Sequence, residues 1–306
     1  MPARPLSAAL RERIRHWVLS AFPREASTRI DYDQPEGDPG LFGPETVTWR
    51  VHACFPGMLA GGLQALMLQT LHPRALAGVW DHSNFRDDLV GRLRRTTAFV
   101  GGTTYAPTAA AQALIERVRA IHTRVTGITA DGLPYAADDP ALLTWVHVTE
   151  AYGFLRGFQR YSGRPLNAAQ VDRYYDEVRR IAEALGARAV PSSAAQIAHY
   201  FDAVMPQLRC DERSREVLRV LGAIRLPVPV AGLSRELFLH AGAALMPDWA
   251  NDLLGRSRWQ RRGDRLSARV LAGMSPLFEQ ALSDGVASRS CRRVGCDPAI
   301  LQRAPR

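Results

Sequence analysis

Along most of the chain, apolar residues recur at spacings of three and four, the period of a helix that buries one face. Pattern and end signals together predict helices over about 6–22, 57–72, 87–100, 108–126, 139–161, 167–185, 194–205, 211–224, 233–245, 247–256 and 263–282, each bounded by Pro, Gly, Asp, Ser or Asn. Val47, Trp49 and Val51 alternate as a strand would; that stretch reads as a short strand or as the approach to the next helix. The expected class is all-α, a single globular multi-helix domain. Residues 23–45 are polar and rich in Pro and Gly, which suggests an irregular arm, and 225–232 (RLPVPVAG) reads as an apolar extended connector. No internal repeat is present. The expected division is an N-terminal helix and arm over 1–45, a helical body over 46–282 and an arginine-rich tail over 283–306.

Four helices carry residues that an amphipathic pattern does not explain. The first, GMLAGGLQALMLQTLHP over 57–72, is apolar nearly all round, as a helix buried on every side would be. Gly57, Gly61, Ala65, Leu68 and His72 fall within about 60° of one another on one face. Such a stripe admits either a second helix crossing closely or a flat cofactor; His72, just before Pro73, could equally cap the helix end.

In DDLVGRLRRTTAFV, Arg92 and Thr96 lie inside the arc made by Leu89, Leu93, Phe99 and Val100, with Arg95 on its edge and Arg94 pointing away. An inward guanidinium needs an anion, either an internal carboxylate or a bound carboxylate or propionate. In 108–126 His122 sits amid Leu114, Ile115, Val118, Ile121 and Val125, as a ligand or as a core histidine with a partner. His147 is placed similarly, with Leu143, Ala151, Phe154 and Phe158 on its face and Glu150 near the edge. Helices converging on one interior site would account for all three oddities.

Composition narrows the chemistry. Of 306 residues, 46% are hydrophobic and 23% charged, ordinary globular usage. All 39 residues counted as Lys+Arg are arginine, which removes Schiff-base catalysis and the phosphate-loop lysine. The net charge of +9 raises nucleic acid or an anionic membrane surface as partners, but the arginines are dispersed, so the excess reads as a solvated surface and no nucleic-acid partner is expected. Cys54, Cys210, Cys291 and Cys296 form no zinc pattern and read as reduced thiols. The charged N-terminus lacks the apolar run of a signal peptide and no stretch is long enough to span a bilayer, so a cytoplasmic protein without a transmembrane segment is expected.

The motifs of di-iron bundles, zincins, serine hydrolases and phosphate loops are all missing. Haem asks for less: one axial histidine in an apolar helical pocket, cations for its propionates and a polar group on the oxygen side. The chain meets that list, as a tightly packed bundle would also.

The ordered segments LMLQTLHPRALAGVWDHSNFRDDLVGRLRRTTAF, VRAIHTRVTG, DGLPYAADDP, LLTWVHVTEAYGFLRGFQRYSG and LNAAQVDRYYDEVRRIAEALGA resemble the DUF2236 family over about residues 45–260. That family includes the rubber oxygenases and the MpaB-type oxygenase. The resemblance implies globin-like helices around a b-type haem that activates dioxygen, and an apolar, isoprenoid-like or otherwise unsaturated substrate. It implies His122 as proximal iron ligand and Arg92, Arg95 and Thr96 on the oxygen side. His72, Asp81, His82 and His147 match further elements, with Asp81 or His82 as a manager of protons, and Gly61 lines the expected cofactor face. Rubber oxygenases can place at position 95 a lysine that ligates the iron; the arginine here stays protonated and cannot. Oxidative tailoring of a secondary metabolite or peptide is an alternative on the same fold, and a non-catalytic helical binding protein is the alternative from another class.

Overall fold

The computed structural model describes residues 7–21, 30–223 and 231–303. Most of the connector expected at 225–232 and part of the arm at 23–45 lie outside the described residues. Fourteen helices follow in order: α1 Ala8–Ala21, α2 Val47–Ala53, α3 Phe55–Gln69, α4 Pro73–His82, α5 Leu89–Tyr105, α6 Thr108–His122, α7 Pro140–Tyr161, α8 Ala168–Leu185, α9 Ala194–Val204, α10 Glu212–Gly222, α11 Ala231–Ala243, α12 Asp248–Leu253, α13 Arg258–Ala281 and α14 Val286–Arg293. Between α6 and α7 the only sheet among the described residues pairs β1 (Thr126–Ile128) with β2 (Pro134–Ala136), antiparallel, Gly127 opposite Tyr135. The all-α class is as expected.

The core is built on α3, which lies between α7 and α11. Its approach to α7 is set by paired glycines. A Cβ on Gly61 would stand 2.3 Å from the Gly153 carbonyl oxygen, and one on Gly157 2.1 Å from that of Gly57. On the other side, a Cβ on Gly242 of α11 would fall 2.7 Å from the Ala60 oxygen. Of the two readings of the small-residue stripe, a helix crossing and a flat cofactor, the structure has the crossing, and Gly61 faces α7. Backbones this close gain dispersion contacts along both helices.

The alternation at Val47–Val51 is helix, not strand. Thr46 caps the first turn, and the buried Glu177 of α8 accepts from Val47 N–H (3.3 Å), Thr48 N–H (2.9 Å) and the Thr48 hydroxyl (2.9 Å). A carboxylate on otherwise orphaned helix N–H groups outweighs the β-propensity of three apolar side chains. With all of Val47, Thr48, Trp49, Arg50 and Val51 buried, the two-residue period marks no solvent face.

The chain after residue 283 folds back on the body. Cys291 and Leu301 pack with Trp49 and Tyr105 in a small second core, and the buried Arg293 donates to the Asp38 and Tyr32 carbonyls. All four cysteines are free thiols. Among the described residues no single helix is long and apolar enough to cross a membrane.

Candidate active site

Four elements bring polar side chains within electrostatic reach of one another inside the bundle. From α2 comes His52, from α5 Arg92 and Thr104, and from α7 His147 and Glu150 one turn apart, while Tyr174 of α8 closes the group. The His52 ring meets Phe154 and Tyr174 edge-on at 5.4 and 5.8 Å.

The His52 tautomer follows from its partners. The Thr104 hydroxyl donates to the Val100 carbonyl (2.7 Å), so toward His52 Nδ1 (2.8 Å) it accepts, and Nδ1 carries the proton. Nε2 then accepts from the Tyr174 hydroxyl at 3.1 Å. Burial, helped by His147, pulls the His52 pKa down to about 3. The ring is neutral and both nitrogens are spent.

His147 and Glu150 differ: among the described residues neither has a hydrogen-bond partner. Burial alone pulls His147 to about 4 and pushes Glu150 up to about 7, the latter against the opposing pull of the Arg92 guanidinium. Arg92 is itself lowered, first by burial and then by Arg95, with Glu150 acting the other way. Each of these groups nevertheless keeps some accessible surface. Desolvation is the leading cause of all three shifts. A charged Arg92 in the field of a carboxyl poised near neutrality gives the site a proton-exchanging group close to a fixed cation.

His122 ends α6. Its Nδ1 is buried with no partner, and burial lowers its pKa against the opposing field of Asp138. Among the described residues no hydrogen bond, ion pair or ring contact joins it to the Arg92–Glu150–His147 group. The apolar faces of α5 and α6 are incompletely covered: Leu89, Leu93, Phe99, Val100, Leu114 and Val118 are half-buried, as is Val125 in the turn after α6, and Ile121 is 51% exposed.

The remaining sequence candidates sit elsewhere. His72 is buried as the N-cap of α4; its ring accepts from Ala75 N–H at 3.5 Å and lies 5.7 Å from Trp145. Asp81 accepts from the Tyr135 hydroxyl (2.6 Å) and His82 Nε2 donates to the Thr126 carbonyl (3.0 Å), so both hold α4 to the β-hairpin. Arg95 is exposed and pairs with Asp88 at 3.3 Å, and Thr96 is exposed beside it. Sequence reasoning missed His52 and Tyr174 and left Glu150 at the edge. The available signal was the i, i+3 spacing of His147 and Glu150. Nothing in the local pattern of VTWRVHACF marks His52 as a partner of residues 52 and 122 positions away.

An all-α bundle that holds an arginine, a near-neutral carboxyl and unpartnered imidazoles has the makings of a helical enzyme. The family model described as the catalytic domain of ER-bound oxygenase mpaB/B′ and rubber oxygenase matches residues 49–276. The chain belongs to this oxygenase family. No match was found among curated proteins or among solved structures.

Proposed function

We propose that this protein is a haem b-dependent oxygenase that uses dioxygen on an apolar, isoprenoid-like or otherwise unsaturated small molecule, and that His122 would hold the haem iron. The observation that carries the reading is the state of the imidazoles. His52 is committed to Thr104 and Tyr174, whereas His122 and His147 have no hydrogen-bond partner among the described residues; of these two only His122 keeps a fully buried ring nitrogen, its Nδ1, and it is the one that the family resemblance selects. Burial holds His122 neutral near pH 7, the form in which imidazole binds a metal.

The residues present fit the group. The half-covered apolar faces of α5 and α6 suit a flat apolar macrocycle, and Arg92 suits a propionate or another anion, which its fork grips in two places. When bound, haem supplies the dioxygen chemistry that no side chain here offers. Arg92 supplies a fixed positive charge, and Glu150 holds or releases a proton at its carboxyl oxygen near pH 7. His52, locked by two hydrogen bonds, orients Tyr174 and Thr104 at the wall. Arg95 and Thr96, on the accessible side of α5, would meet the incoming substrate.

The test is reconstitution with hemin. His122→Ala should retain little haem, with its spectrum restored by added imidazole, while His147→Ala should retain it. Full retention by His122→Ala together with loss in His147→Ala would transfer the role of holding the haem to His147.

A further inference from the structure

Helix α13 presents to solvent a face that the interior site leaves unused. Trp259 is 76% exposed, Leu266 62% and Val270 48%. At about 100° per residue these three, continued by the half-buried Leu277, fall within about 20° of one line along the helix. The opposite side, with Asp264, Ala268, Leu271, Ser275 and Phe278, is buried, so the ridge points straight outward.

One flank of the ridge is cationic. Arg262, Arg269, Arg258 and Arg265 lie about 60–120° round from it, and all four are exposed. Among the described residues none of the four forms an ion pair. Arg262 instead lies over the Trp259 ring at 4.8 Å. Arginines elsewhere are commonly paired, as Arg74 is with Asp139 and Arg179 with Asp176 and Glu183. The outward half of α13 carries no carboxylate. Its Asp264 is buried against His240 and Arg256, and its Glu279 is held by Arg164.

We propose that α13 seats the protein peripherally on an anionic phospholipid surface. The Trp259–Leu266–Val270 ridge enters the boundary between headgroups and acyl chains, and the four arginines meet lipid phosphates. From Trp259 to Val270 the ridge runs about 16 Å, a length an amphipathic helix can lay in the interface plane. Tryptophan suits that depth because its ring is apolar and its N–H stays wet. Arginines keep their heads at the phosphates while their stems cover apolar surface. A second copy of the chain on this face would set arginine against arginine, since the exposed Asp248 and Asp252 beside this flank are already held by Arg261. A nucleic acid would use the arginines and leave the apolar ridge in water.

The full chain is sedimented with vesicles of phosphatidylcholine alone, or of phosphatidylcholine containing phosphatidylglycerol, at low and at high salt. Binding is expected to the anionic vesicles, weakened by salt. The triple variant R262E/R265E/R269E should lose at least about tenfold in partitioning, because each cation near an anionic surface contributes separately. W259S/L266S should lose binding at unchanged charge. The control R117E/R188E/R215E makes the same charge change on exposed arginines away from α13 and should retain most of it. The proposal is overturned if neutral vesicles bind as well, if the control loses as much as the α13 triple, or if anionic vesicles are not bound. It is equally overturned if W259S/L266S turns a dimer into a monomer in analytical ultracentrifugation, which would make the ridge an interface between copies.

Discussion

Gly61 of α3 and Gly153 of α7 meet backbone to backbone, each so close that a Cβ on it would lie 2.3 Å from the other's carbonyl oxygen. One turn further on, Gly57 and Gly157 repeat the contact. Glu150 lies one turn before Gly153 on α7, and His147 one turn before that. Two missing side chains on α3 therefore fix how deeply α7 seats the interior polar pair.

Gly153→Ala should cost about 3 kcal/mol, since the added methyl meets backbone on the facing helix and can be relieved only by moving α7. The control is Gly101→Ala in α5, where a Cβ would meet nothing within 4 Å. That change should be neutral or stabilising, by up to about 1 kcal/mol, through helix propensity. Thermal unfolding of the two variants beside the parent checks both signs.

Glu150 makes stability depend on pH. Its carboxyl is raised from 4.5 to about 7, so the folded state binds the proton more tightly than the unfolded chain. The stabilisation is complete below about pH 4.5 and is lost as pH rises through 7. Glu150→Gln should remove this loss, gaining on the parent between pH 5 and pH 8 by at most about 3 kcal/mol. His52 and His147, lowered to about 3 and about 4, act in the opposite direction, and their contribution is lost as pH falls below 6.5. Denaturant titrations across this range should show the Glu150→Gln difference growing on the alkaline side, and a difference independent of pH would place Glu150 in water.

Arg92 and Arg95 should separate cleanly. Arg92 is desolvated beside Glu150, whereas Arg95 is exposed with Asp88. Arg92→Leu removes the cation that holds Glu150 down, so the Glu150 titration should move above 7 and haem retention should fall. Arg95→Leu should change stability by less than about 1 kcal/mol, the usual scale of an exposed pair. Equal effects of the two changes would mean that the anion site does not lie at Arg92.

Glu177 caps α2 from inside the protein and also accepts from Arg173 Nε at 2.8 Å. Glu177→Ala leaves two backbone N–H groups and a hydroxyl buried without an acceptor, and should cost about 3–5 kcal/mol. Because α2 carries His52, the fluorescence of nearby Trp49 should shift with it. Unchanged thermal unfolding would show that α2 needs no external cap.

The sequence by itself determined the class. Helical spacing, the all-round apolar α3 and the inward positions of Arg92 and His147 follow from local pattern, because a helix repeats its faces every few residues. Family motifs read in order led to the same oxygenase catalytic domain that the match over 49–276 shows. Tertiary structure decided what local pattern cannot encode. The stripe of Gly57 and Gly61 is silent about what lies against it until α7 brings Gly153 and Gly157 opposite. Val47–Val51 becomes helical because Glu177, some 130 positions on, supplies its cap. His52 joins Thr104 and Tyr174 across the bundle. Thr96 and Arg95, inside or beside the apolar arc on a helical wheel, are exposed because the wheel states direction and not what stands there. In each case the deciding contact joins residues far apart in the chain, and its energy appears only once packing has placed them together.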